Sequence, residues 1–70
     1  MSVDPRAEAM RRLPSVYASA LRLRLAGLSA PAIAERLELD PAAIGPLLVM
    51  AEAKLAAVLE EMERDGGTVA

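Results

Sequence analysis

Apolar residues recur at helical spacing along three short segments of this chain, then crowd together in a fourth that is apolar on every side. The fourth runs from Asp40 to Arg64, DPAAIGPLLVMAEAKLAAVLEEMER. Asp40 reads as an N-cap and Pro41 as the first helical residue, with Gly66 and Gly67 just past the end. From Pro41 to Ala51 no side chain carries a charge, an amide or a hydroxyl, and Ile44, Leu47, Leu48, Val49 and Met50 point in all directions around a helix. A helix that is apolar all round has to be covered. So short a chain offers little to cover it with, which makes a partner surface the first expectation.

The earlier segments are more conventional. Asp4-Pro5 repeats the cap signal and predicts a helix from Pro5 to about Arg12, packing through Ala7, Met10 and Leu13, with Pro14 ending it or opening the next. Ser15 to Ala26, SVYASALRLRLA, places Val16, Tyr17, Ala20, Leu21, Leu23 and Leu25 at helical spacings, and Gly27 suits the left-handed position that follows. Ser29 caps a third helix over Ala30 to Leu37, apolar at Ile33, Ala34 and Leu37 and charged outward at Glu35, Arg36 and Glu38.

Only Glu38, Leu39 and Asp40 separate the third helix from the fourth, so the two must cross steeply as a helix-turn-helix. Pro46 cannot donate to the Ala42 carbonyl and costs about 3 kcal/mol in a helix interior. With Gly45 before it, the expectation is a short first turn from Pro41 to Ile44, a kink, and a regular helix from Pro46 to about Arg64. Residues 65–70 read as a frayed tail.

At 70 residues the chain is one domain, 1–70, with its core at about 15–64. A domain of this size buries only about 60% of its unfolded surface and usually needs a supplement. Cysteine and histidine are both absent, which removes disulfides, thiolate chemistry and nearly every transition-metal site, so oligomerisation remains. The 54% hydrophobic fraction is aliphatic, Tyr17 being the only aromatic, which points to an all-α four-helix domain, dimeric. Neither a signal peptide nor a run of about 18 apolar residues stands out, since Glu52 and Lys54 interrupt the longest candidate. A cytoplasmic protein with no membrane partner is expected.

Nothing in the chain supports catalysis, a cofactor or a bound metal. The acids fall on outward helix faces, triads lack His and Cys, and no glycine-rich phosphate loop is present. Ten acidic against eight basic residues give a net charge of −2, opposite to the footprint of most DNA-binding domains. The candidate phosphate contacts are Arg11, Arg12, Arg22, Arg24 and Arg36, with Ser29 at a helix start; pairing of the arginines with nearby Glu, and simple capping by Ser29, are the plainer readings.

The run from Leu13 to Glu61 resembles region four of bacterial sigma factors, the helix-turn-helix that binds the promoter −35 element. The resemblance is carried by Leu13-Pro14, Ala20-Leu21-Arg22-Leu23-Arg24, Gly27-Leu28-Ser29, Ile33-Ala34-Glu35-Arg36-Leu37, Ile44, Leu48, Ala51 and Lys54-Leu55. The LuxR-type helix-turn-helix shares the Gly-Leu-Ser entry and the Ile-Ala pair more distantly. The resemblance implies a transcription-related scaffold whose fourth helix would read DNA. Where that family presents hydroxyl and basic side chains, this chain has Ala43, Gly45, Pro46, Leu47, Val49 and Met50, then acidic Glu52, and direct readout requires donors and acceptors.

The expected function is therefore a sigma-region-four-like module in transcription regulation that works mainly through protein contacts: a homodimer, or a complex with RNA polymerase, a sigma factor or another transcription protein. The interface is expected at Leu47, Val49, Met50, Leu55, Val58, Leu59 and Met62. Two alternatives stand beside it. The first helix could fold over the apolar face as a lid within the chain, or the protein could be a DNA-binding regulator whose arginines form a basic surface.

Overall fold

The computed structural model describes residues 4–67, with side chains for 4–65. Four helices occupy the described residues, with no strand among them: α1 (Pro5–Arg11), α2 (Ser15–Leu25), α3 (Ala30–Leu37) and α4 (Pro41–Gly67). At 27 residues α4 is about 40 Å long, close to the 45 Å long axis of the molecule. The other three helices pack on it, and α2 also packs on α3.

The helix starts follow from short-range hydrogen bonds. Asp4 Oδ1 accepts from the Arg6 amide at 3.0 Å, Ser29 Oγ from Ala32 at 3.4 Å, and Asp40 Oδ1 from Ala42 at 2.9 Å. Each satisfies one of the amides a helix start leaves open. Pro14 precedes α2 without a side-chain cap.

The ends of α2 and α3 share one geometry. Leu28 N–H reaches back to the Leu23 carbonyl and Gly27 N–H to Arg24; Leu39 N–H reaches Ala34 and Glu38 N–H reaches Glu35. This paired pattern requires a left-handed residue, which is Gly27 (φ 93°) in the first case and Glu38 (φ 58°) in the second. Glu38 therefore occupies a conformation that costs a residue bearing a Cβ about 1 kcal/mol. The strained residue fixes the three-residue turn that aims α4.

The core is aliphatic, with no buried polar or charged side chain among the described residues. Ile33 of α3 and Ile44 of α4 are fully enclosed, joined by Leu21 and Ala20 of α2, Met10 of α1, Leu13 just after α1, and Leu48, Ala51 and Leu55 along α4. In α1 the packing residues include Ala9 rather than the expected Ala7, which is exposed and lines a groove beside α2. Truncating a fully buried isoleucine to alanine costs about 2 to 5 kcal/mol, much of what holds so small a domain folded.

The expected break at Pro46 does not occur, and α4 is continuous from Pro41. Two local features relieve the proline. Gly45 has no Cβ to meet the Pro46 ring, the contact that normally drives a preceding residue out of the helical region. The Ala42 carbonyl, which loses that donor, belongs to an exposed residue in the first turn of the helix. A Cβ at Gly45 would meet no other part of the fold, so tertiary packing does not require that glycine. The helix also continues to Gly67, beyond the expected end near Arg64, and the rest of the predicted tail, 68–70, lies outside the described residues.

By length and composition alone Pro41–Asp65 is long and apolar enough to cross a membrane, although Glu52 and Lys54 break its apolar sequence. Here one edge of it forms the wall of the core.

The two turn residues should respond in opposite directions to substitution. Glu38→Gly is expected to raise the unfolding free energy by about 1 kcal/mol and Gly27→Ala to lower it by about the same amount, read from urea unfolding curves.

Candidate protein interface

The residues of α4 divide by side. Ile44, Leu48, Ala51 and Leu55 recur at spacings of three and four and face the other helices. Ala43, Gly45, Pro46, Val49 and Met50 face away and are exposed, Val49 to 69% and Met50 to 50%. None of these side chains donates or accepts a hydrogen bond, so the exposed head of α4 has no group with which to read a base edge. Leu47 lies at the margin, half-buried against the core.

The first helix does not act as a lid over this head. Leu13 and the flanking Arg12 and Pro14 share a groove with Lys54, Ala57, Val58 and Glu61, and Pro5 lies with Leu59, Met62 and Glu63. Helix α1 thus lies along the rear half of α4, and among the described residues none covers the apolar head. One residue of the expected interface, Leu55, is enclosed by the core. Leu55 is only 3% exposed and belongs to the core, while Val58, Leu59 and Met62 are half-buried against it. They lie within about 60° of Ile44 around the helix axis, as Leu47 does, and of the expected set only Val49 and Met50 face outward.

The candidate phosphate contacts are dispersed. Glu8 pairs with both Arg11 and Arg12, the latter at 3.5 Å, as i,i+3 and i,i+4 neighbours. Arg11 and Arg22 meet in a groove of about 290 Å³ between α1 and α2, together with Arg6, Met10 and Leu25. Arg6 escaped the sequence reading because it belongs to a different helix from Arg22 and nothing in the spacing joins them. Leu25, at 69% exposure, lies past the end of the packed face of α2. Arg24 and Arg36 line neither this groove nor the one at Arg12. Among the described residues Arg22, Arg24 and Arg36 form no ion pair. Ser29 Oγ is engaged as the α3 cap.

No cluster of three or more potential metal-binding side chains occurs among the described residues. The chain matches no family model, no curated protein and no solved structure.

The Glu8 carboxyl titrates below its ordinary value, first because Arg11 donates a hydrogen bond to it and second because of that arginine's charge. A carboxyl lowered in the folded state stabilises the fold above its unfolded value, near 4.5, and the contribution disappears as pH falls through the folded value. Wild type should therefore unfold at a slightly higher temperature than Glu8→Gln at neutral pH, with the two converging as pH drops below about 4.5, as checked by thermal melts across pH.

Proposed function

We propose that this chain is a helix-turn-helix module of the sigma-region-four type, working in the cytoplasm in transcription regulation through contacts with proteins rather than through base readout. The observation that supports this reading is the exposure of Val49 and Met50 on the helix that the resemblance would place in the major groove. Large aliphatic side chains in water are unremarkable singly, but here they adjoin Ala42, Ala43, Gly45 and Pro46 in one apolar area, which favours a protein partner. The turn of three residues between α3 and α4 is in keeping with the same scaffold. A homodimer or a complex with a transcription protein would cover the area.

A second reading, a DNA-binding regulator, is favoured by the ion-pair-free Arg22, Arg24 and Arg36. Phosphate contacts from these would give affinity that falls steeply with salt, and little base discrimination.

Sedimentation of wild type beside Val49→Lys and Met50→Lys tests the first reading. Both positions are exposed, so both variants should keep wild-type helicity and stability within about 0.5 kcal/mol while losing the associated mass. Where wild type associates, an associated mass kept by both variants would show that the head of α4 is not the contact. Saturable, sequence-specific binding of duplex DNA with a steep salt dependence would instead favour the DNA-binding reading.

A further inference from the structure

Because α4 runs unbroken through Pro46, its residues can be placed around the helix axis at about 100° per residue. Measured from the buried Ile44, the exposed Pro46, Val49, Met50, Ala53, Ala56 and Ala57 all fall within about 60° of the diametrically opposite line. Glu52 and Lys54 lie about 100° to either side of that line. The apolar head therefore does not stop at Met50. It continues as one exposed face from Ala42 to Ala57, about 23 Å of helix, with Ala57 at its edge beside the groove that Arg12, Leu13 and Pro14 line.

We infer that this face receives a second copy of the chain, α4 against α4, antiparallel, with the twofold axis passing Ala53. The inference rests on the proposed role of the face as a protein contact and specifies its occupant. Shape supplies the first reason. The bulky Val49 and Met50 stand one turn before Ala53, and the small Ala56 and Ala57 stand one turn after it. Antiparallel pairing seats Val49 of each copy over Ala56 of the other, and Met50 over Ala57, so large side chains meet small ones at both ends. Parallel pairing sets Val49 and Met50 against their own counterparts and leaves a gap at the alanines.

Charge supplies the second reason. Glu60, Glu61 and Glu63 are exposed near the C-terminal end of their own helix, where its dipole disfavours acids. The antiparallel arrangement carries them to the first turns of the other α4, where the dipole favours them, and brings Arg64 level with Ala42 of the other copy, about 3 Å of axial rise from the Asp40 carboxylate. In a parallel pair the acidic ends would lie side by side. A single helix face of this length makes an interface at the small end of the specific range, so the dimer forms at tens of micromolar rather than nanomolar concentration.

The chain has no cysteine, so single replacements report on proximity without background. Val49→Cys mixed with Ala56→Cys under mild oxidation is expected to give a disulfide-linked mixed dimer. Neither variant alone should do so, because each residue lies about 9 to 12 Å along the axis from its own counterpart, beyond disulfide reach. Ala53→Glu sets two carboxylates together at the axis, and wild-type dimer should become monomer in sedimentation with helical content unchanged, since Ala53 is exposed and Glu is a good helix former. Self-linking by Val49→Cys alone overturns the antiparallel pairing and leaves the face as a protein contact. A wild type that stays monomeric at several hundred micromolar overturns the inference alone. An oligomer whose mass survives Ala53→Glu, Val49→Lys and Met50→Lys overturns both the inference and the proposed contact.

Discussion

Contact along one side of α4 holds the molecule together, because Ile44, Leu48, Ala51 and Leu55 form the surface on which α1, α2 and α3 all pack. Those three helices have 7, 11 and 8 residues, lengths at which isolated helices are marginal in water. Each is helical because docking removes its apolar side from solvent. With no buried polar side chain among the described residues to specify an arrangement, packing shape and the geometry of the two left-handed turns set how the helices cross.

The same helix is apolar on its far side, and that two-sidedness explains several properties at once. It is why α4 has the length and composition of a membrane-crossing segment while one edge serves as a core wall. It also separates folding from association. Substitutions on the inner edge act on stability, whereas those on the outer edge leave the fold intact and would bear on the proposed contact.

Local chemistry made most of the fold legible in the sequence. Asp4, Ser29 and Asp40 announced three helix starts, and Gly27 announced a helix end, because capping depends on residues a few positions apart. Glu38 gave no such signal, since a charged residue rarely adopts a left-handed backbone; only the tight turn demands it. Pro46 was misread because the penalty for an interior proline was weighed without the relief that Gly45 provides. Leu55 was misassigned for a different reason. Helical spacing groups residues on a side, but only the docking of α1 along the rear half of α4 decides which side is inward. The outward Val49 and Met50 were identifiable by their phase relative to Ile44 and Leu48.

Proline inside α4 leaves one further mark. A proline nitrogen carries no hydrogen, so the Ala42 carbonyl cannot receive the bond that a residue at position 46 would otherwise donate to it. A smooth hydrocarbon surface lets a visitor slip and rotate at little energetic penalty. A carbonyl freed from its helical donor can accept from outside the helix, and hydrocarbon that borders one such acceptor discriminates between placements better than hydrocarbon alone.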